Sequence, residues 1–375
     1  MAISFWLLDR SLTTDNEIMG LSFKFAIASD LHIALPSTIY EHPGRFHLVE
    51  FSIPALEVVL DHLSHFDLDF LLLPGDLTQH GEAENHAWLA NRLARLPYPV
   101  YVIPGNHDLP TPEHFNQFTP HYQKFGYDPQ FGNQLYYAQE ILPGVRLIGL
   151  NSNWFDDHGK QIGWLDREQF DWLKTILADR SAQLTLVTIH HNILEHMPNQ
   201  SKNPLGQRYL LDDPEPFCEL LQQAGVQLVF TGHLHVQDIA WSNRYGFYEI
   251  TTGSLISYPH PYRVLTYEQS EQSTRLNVQS FRVRSLPQQP DLQHFSREWM
   301  GDRSYPFVRK LLTQPPLNLS LEVAETLMPQ LRYFWADLAN GDAKFSFPEF
   351  PPDLRAYFEA FSDRPPADND VTLML

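Results

Sequence analysis

The chain has 375 residues, with 26 Lys+Arg against 45 Asp+Glu for a net charge of −19, and it holds 18 His but a single cysteine. At about 150 residues per domain the length fits one large core plus an appendage, and the acidic excess opposes the phosphate-driven attraction that duplex nucleic-acid binders rely on. One cysteine excludes a disulfide framework, a thiolate zinc site and an iron-sulfur cluster within the chain, and leaves imidazole and carboxylate metal chemistry open.

Residues 3–8 form a short apolar run with no basic residue before it and Asp9 closing it, a poor secretory signal. Residues 1–22 are therefore read as an N-terminal extension, with translation starting at Met1 or Met19. No stretch approaches the ~20 apolar residues of a membrane-spanning helix, so the expectation is a soluble, cytoplasmic protein. Strands at 23–28, 70–73 and 100–103 alternate with helices over 54–63 and 83–96, giving two β-α-β units. Leu56, Val59, Leu60 and Leu63 recur at helical spacing, and Pro54 is tolerated in a first turn. An irregular stretch over 109–134, rich in Pro, Phe, His and Tyr, is where surface loops and substrate contacts are expected. Strands follow at 135–138 and 145–150. Helix 166–177 leads into strand 184–189, and helix 216–224, closed by Gly225, into strand 226–230. Cys218 in that helix reads as an ordinary buried small residue. Two hairpins, 239–241 with 247–251 and 263–267 with 276–283, complete a layered α/β core.

The Pro/Gln-rich segment 285–290 marks a change, because beyond it only helices are expected, at 307–312, 321–338 and 354–361. The boundaries are 23–285 for the core, 286–362 for a helical appendage and 363–375 for a disordered tail, the last suggested by Pro365-Pro366 and three Asp. In the middle helix Val323, Leu327, Leu331, Phe334 and Leu338 form one apolar stripe, which Pro329 should kink. The aromatic run Tyr333, Phe334 and Trp335 reads as packing rather than as a base-stacking platform.

Five polar clusters each follow a strand: Asp30-Leu31-His32, Gly75-Asp76, Gly105-Asn106-His107-Asp108, His190-His191 and Gly232-His233-Leu234-His235. In an open α/β sheet the carboxyl ends of the strands share one edge, so groups far apart in sequence converge in one crevice. Alternation along extended backbone would put Asp30 with His32, and His233 with His235, on the same side. Singly, such clusters are loop hydrogen-bonding devices. Together, this many buried polar groups would be costly without a ligand, and their oxygen and nitrogen donors suit manganese, iron or zinc.

The ordered set D-x-H, G-D, G-N-H-[DE], H and G-H-x-H resembles the signature of the calcineurin-like metallophosphoesterase superfamily. Ser29-Asp30-Leu31-His32 and Gly75-Asp76-Leu77-Thr78 resemble its class III cyclic nucleotide phosphodiesterase branch and glycerophosphodiesterase relatives. The resemblance covers residues 23–281 and implies a four-layer αββα sandwich, to which the helical appendage is added. It implies two divalent or di/trivalent ions (Mn, Fe or Zn), one held by Asp30, His32, Asp76 and His235, the other by Asp76, Asn106, His190 and His233, with Asp76 bridging. His107 would stabilise charge on the phosphate or protonate the leaving oxygen; Asp108 would orient it or serve only as a turn cap. His191 would touch substrate or be a hydrogen-bonded histidine. Tyr258 and His260 would contact substrate or sit in a corner fixed by Pro259 and Pro261, while His80 and His196 read as solvated loop residues.

The expected activity is hydrolysis of phosphodiester bonds in small nucleotides or glycerophosphodiesters, by a hydroxide shared between two ions ~3.5–4 Å apart. The alternatives are a nuclease acting on single-stranded ends, a phosphomonoesterase and, least favoured, a non-catalytic metal-binding scaffold. A small phosphoester is the expected partner, with neither duplex nucleic acid nor a membrane. The appendage would cap the crevice, form a homo-oligomer interface or cover an apolar face.

Overall fold

The computed structural model describes residues 20–40, 45–363 and 367–375. Most of the extension expected over 1–22 lies outside these residues. Strand β1 (Ser22–Ile27), helix α1 (Ser52–Leu63), β2 (Phe70–Leu73), α2 (Ala83–Leu93) and β3 (Val100–Val102) make the two expected β-α-β steps, and the three strands pair in parallel. A hairpin of β4 (Tyr137–Leu142) and β5 (Val145–Gly149) and a small one of β6 (Asn153–Phe155) and β7 (Gln161–Gly163) follow. Then come α3 (Arg167–Ala178), β8 (Leu184–Thr188), the single turn α4 (Pro204–Gln207), α5 (Glu215–Ala224) and β9 (Leu228–Thr231), with β5, β8 and β9 parallel. Two hairpins, β10 (Asp238–Ser242) with β11 (Phe247–Thr251) and β12 (Pro261–Gln269) with β13 (Thr274–Arg282), close the core.

Apart from the β6–β7 pair, these strands and one C-terminal strand described below build two six-stranded sheets that pack face to face, and the alternation of side chains along each strand explains why. On the second sheet Leu147, Leu186 and Leu228 point at the first sheet and share one core with its Phe25 and Phe70. Their neighbours Ile148, Val187 and Val229 point the other way, against Leu173 and Leu177 of α3 and Phe217 and Leu221 of α5. Every residue of β2 and β9 is buried, as central parallel strands covered on both faces require. The fold is thus the expected α/β sandwich of helix, sheet, sheet and helix layers. Asp166 caps α3 by accepting from the Gln169 amide. Cys218 is buried on the inner face of α5.

Three expectations beyond residue 285 change. The helix expected over 307–312 runs instead as α6 (Leu292–Thr313), straight through Pro306. The single kinked helix expected over 321–338 is broken outright: α7 (Leu321–Leu327) passes into a 3-10 turn at Met328–Leu331 and then α8 (Phe334–Ala339). Pro329 within that turn has no amide to donate and restricts the residue before it. With α9 (Pro352–Glu359), these helices share a small core of their own around Val308, Leu312, Phe334 and Phe358.

The tail expected to be disordered over 363–375 instead returns to the first sheet. Strand β14 (Val371–Met374) pairs antiparallel with β13 at the sheet edge. Asp370 accepts from the Ser280 amide at 2.9 Å, and Asp368 from the Ile239 amide at 2.6 Å. Acidic composition concealed a short alternating strand that completes the hydrogen bonds of an otherwise open edge. The helices are consequently inserted between two neighbouring strands and are tied to the sheet at both ends. Among the described residues no helix is long and apolar enough to cross a membrane.

His196, expected to be solvated, is fully buried and joins the loop after β8 to the β10–β11 hairpin. Its Nδ1 lies 2.6 Å from Asp238 and its Nε2 3.3 Å from Glu249. Burial opposes the charge, but Glu249 and Asp238 outweigh it and raise the imidazole to about 10. Because the folded value lies above the ordinary 6.5, the charged ring stabilises the fold fully below that pH and the contribution fades as pH rises towards about 10. His196→Ala should cost about 3–5 kcal/mol at pH 6, and calorimetric melting should show the gap to the unsubstituted protein narrowing by pH 10.

Candidate metal centre

The five polar clusters sit where the parallel strands β1, β2, β3, β8 and β9 end, so both sheets feed one site. Asp30, His32, Asp76, His233 and His235 all have left-handed backbone, with φ between 43° and 65°. This corrects the expectation of extended alternation. Leu31 and Leu234 turn inward and are fully buried, while the residues on either side are bent towards the cleft. Such strained conformations persist only where surroundings enforce them, and they concentrate at functional sites. The glycines serve close approach: a Cβ on Gly105 would fall 2.2 Å from Asp76 Oδ1, and one on Gly232 would fall 2.5 Å from Asp30 Oδ2.

Two clusters result, each with its ligand atoms within 4.8 Å of one another: Asp30, His32, Asp76 and His235, and Asp76, His190 and His233. Asp76 belongs to both. His235 Nε2 stands 3.0 Å from Asp30 Oδ1, His32 Nε2 3.7 Å from Asp76 Oδ2, and His190 Nε2 3.4 Å from Asp76 Oδ1. Asn106 Oδ1 adjoins the second cluster, 3.2 Å from His190 Nε2. The His190 Nδ1 donates to the Pro74 carbonyl at 2.8 Å, which turns Nε2 inward. Burial opposes charge on the ring, but Asp76 raises it to about 9, so a bound ion would take the place of the Nε2 proton. Ser29 Oγ donates to Asp30 Oδ2 at 2.5 Å, and the His233 amide donates to the same carboxylate.

The residues fit cations. Both ring nitrogens of His32 are buried without a hydrogen-bond partner, a cost that a coordinated ion would remove. Burial, followed by His47 and His107, pushes His32 well below its ordinary value and keeps the ring neutral, the form that ligates. Burial works against ionisation of Asp76, yet His190, His107 and His32 hold its carboxyl well below the usual range. The donor set of imidazole, carboxylate and amide oxygen suits manganese, iron or zinc.

His107 is oriented by backbone. Its amide donates to Asp76 Oδ1 at 2.8 Å and its Nδ1 to the Gln79 carbonyl at 2.7 Å, leaving Nε2 for the cavity that the ring lines. Of the two roles expected for Asp108, its hydrogen bonds are those of a backbone cap and not of a partner to His107. The buried Asp108 carboxylate accepts from the amides of Leu77, Thr78 and Gly105 and from Thr78 Oγ1, all at 2.8–2.9 Å. It stitches the loop after β2 to the loop after β3. Burial and then Asp76 push Asp108 up to about 7, against the amide hydrogen bonds that favour its charge.

Three residues expected to contact substrate divide. His191 lines the cavity, with Nδ1 2.8 Å from Ser152 Oγ and its ring 4.3 Å from that of His233. It does not point away from His190, because β8 ends at Thr188 and alternation ends with it. His260 is fully buried, bonded through Nδ1 to the Leu255 carbonyl at 2.9 Å, and burial lowers it to about 4. Tyr258 is half-buried and hydrogen-bonds to Arg297 of the appendage, and burial raises its hydroxyl. Neither lines the cavity, so this segment is the structural corner that its prolines suggested.

The cavity holds about 520 Å³. Sequence reading missed His47, whose ring lies 4.0 Å from that of His32 and whose Nδ1 is 3.3 Å from Gln79 Oε1. It missed Arg45, Lys160 and Arg208 as well, which leave Asp76 as the one carboxylate among the described lining residues. Arg45 and His47 lie far along the segment between β1 and α1, Lys160 in the turn between β6 and β7 and Arg208 directly after α4, so none belongs to a polar cluster at the end of a parallel strand and no positional signal marked them. His80 stands aside, its ring 6.0 Å from that of His107.

The profile of the Calcineurin-like phosphoesterase family matches residues 23–237, more than half of the chain, and the chain belongs to that family. It is therefore a metal-dependent phosphoesterase, and the match stops short of the helical appendage. A probable cyclic nucleotide phosphodiesterase of Vesicomyosocius okutanii is 28% identical over 182 residues, 48% of this chain and 68% of that protein. A probable glycerophosphodiester phosphodiesterase GpdQ of Arcobacter nitrofigilis is 30% identical over 179 residues, 46% of this chain and 59% of that protein, so this chain spans less than two thirds of it. Among solved structures, a dimetal phosphatase of Danio rerio shares the fold, with a TM-score of 0.52 and 16% identity over 69% of this chain and 95% of that one.

Asp108→Asn would turn an amide nitrogen against backbone donors. It should lower stability by about 1–3 kcal/mol in thermal denaturation and reduce bound metal. Unchanged stability and metal content with a lost turnover would restore a direct role beside His107.

Proposed function

We propose that this protein hydrolyses phosphodiesters of small molecules at a two-metal centre, one ion held by Asp30, His32, Asp76 and His235 and the other by Asp76, Asn106, His190 and His233. The observation that carries this reading is the single buried Asp76 carboxylate shared by two ligand clusters beside the unpartnered His32 ring. When bound, two such ions would neutralise phosphate charge and make a water acidic enough to act as nucleophile near neutral pH.

The chain's own residues supply the rest. His107 Nε2 faces the cavity with Nδ1 already engaged, so it can hold a proton for the departing alkoxide. Arg45, Lys160 and Arg208 draw an anion into a protein that is otherwise strongly acidic. With two divalent ions, two carboxylates and one hydroxide the formal charge is about +1, matched to a diester monoanion. A cavity of about 520 Å³ suits a small molecule. The names of the similar proteins point to the same substrates, cyclic nucleotides and glycerophosphodiesters.

The manganese-loaded protein should cleave cyclic AMP, cyclic GMP or a glycerophosphodiester faster than the matching monoesters. Asp76→Asn should nearly abolish turnover, and His107→Ala should keep its metals while slowing kcat by about 10²–10⁴. Full activity in either variant, or faster cleavage of single-stranded DNA than of small diesters, would contradict the reading.

A further inference from the structure

We propose that the helical appendage forms the wall beside the ester oxygen that is set free, and that this wall selects phosphodiesters in which the group bearing that oxygen carries a flat aromatic ring such as a nucleobase. The inference rests on the phosphodiesterase reading and narrows its substrate class.

The cavity that holds Asp76, Asn106 and His233 is lined on its far side by Met300 and Phe307 of α6 and Trp335 of α8. A file of rings leads outward from the ligand cluster. Tyr209 lies 5.2 Å from His233, Trp335 lies 6.5 Å from Tyr209 and within 23° of parallel to it, and Phe307 lies 5.1 Å from Trp335. Arg208 sits over the Tyr209 ring at 4.6 Å. The aromatic run at 333–335 packs as expected, Trp335 against the cluster of Met197, Leu234 and Leu338, but packing does not cover all of it. Phe334 does fill the appendage core, and Tyr333 bonds to Glu298 and stacks with Arg297, but Trp335 stays half-buried and lines the cavity.

The wall is fixed to the site. Trp299 Nε1 of α6 donates to the Phe46 carbonyl at 2.9 Å, in the same loop as His47. Arg297 bonds to Asp337 at 2.7 Å and thereby joins α6 to α8. Arg282 of β13 bonds to the Asn340 carbonyl at 2.9 Å, which anchors the end of α8 to the first sheet. Trp335 is thus held at a set place opposite the phosphate site.

In the reaction, water oxygen forms a new bond to phosphorus, the bond from phosphorus to the ester oxygen opposite it breaks, and that oxygen takes a proton from His107, which is replaced by the proton of the attacking water. In an open diester the freed alcohol departs, and in a cyclic nucleotide the freed hydroxyl stays on the nucleotide. In either case the group that carries the freed oxygen must occupy the space beyond the metals. A flat base can stack on Trp335 there, since every base offers a π face. A glycerol chain has no such face, and its hydroxyls would lose water against Phe307 and Met300 without gaining partners.

The test compares kcat/KM for cyclic AMP and for glycerophosphoethanolamine in the manganese-loaded full chain and in Trp335→Ala, Phe307→Ala and Trp335→Phe. Trp335→Ala should lose at least about tenfold more on cyclic AMP than on glycerophosphoethanolamine, mainly through KM, and Trp335→Phe should recover most of that loss. Adenosine, which lacks the phosphate, should inhibit the unsubstituted protein competitively. Equal losses on both diesters, or no inhibition by adenosine, overturn the selection while leaving the phosphodiesterase reading intact; no hydrolysis of either diester by the unsubstituted protein overturns both.

Discussion

The site depends on one buried carboxylate shared between two clusters of ligands. Asp76 is 1% exposed and lies within reach of histidines delivered by three different strand ends. An ionised carboxylate in such a place is stable only if positive charge surrounds it. In the protein itself that charge comes from His190, which Asp76 raises to about 9 against the effect of burial, with the amide of His107 donating alongside it, and two metal ions would supply it more strongly. Much of the local architecture follows from delivering those groups, including left-handed backbone at five ligand positions and glycines where any Cβ would strike a carboxylate.

The loops that carry these ligands are held by hydrogen bonds directed away from the cleft. Asp108 ties the segment after β2 to the segment after β3, and Glu249 accepts from the amides of Ile193 and Leu194 and from Asn192 in the loop after β8. His196 adds charge to that second knot. The ligands therefore rest on two buried acidic anchors behind them, so a substitution at either anchor acts on the site without touching substrate.

The layered core and the ligand motifs were legible in the sequence because both obey local periodicity. Strand alternation and helix spacing placed the sheets, and the polar clusters declared themselves by following strands. What failed did so for physical reasons. Asp108 was assigned to His107 because they are neighbours in sequence, whereas its carboxylate spans from one loop to another. Tyr258 and His260 stood near the last ligand pair in sequence, but the corner they occupy turns into the core and the appendage. The β14 strand hid inside an acidic tail, and Trp335 hid inside a run of aromatics that all pack, while it alone of the three also lines the cavity. His47, Arg45 and Arg208 reach the cleft only through tertiary structure, for which no spacing rule exists.

The appendage then reads as an insertion between β13 and β14 that brings an aromatic wall to a widely shared metal-binding core. The central claim is the shared carboxylate, and anomalous diffraction at the manganese edge from crystals of the loaded protein tests it most directly. The account predicts two peaks on either side of Asp76, one within ligand distance of Asp30, His32 and His235 and the other of Asn106, His190 and His233. A single peak that Asp76 does not touch, or peaks only at other acidic clusters such as Asp238 and Asp368, would contradict it.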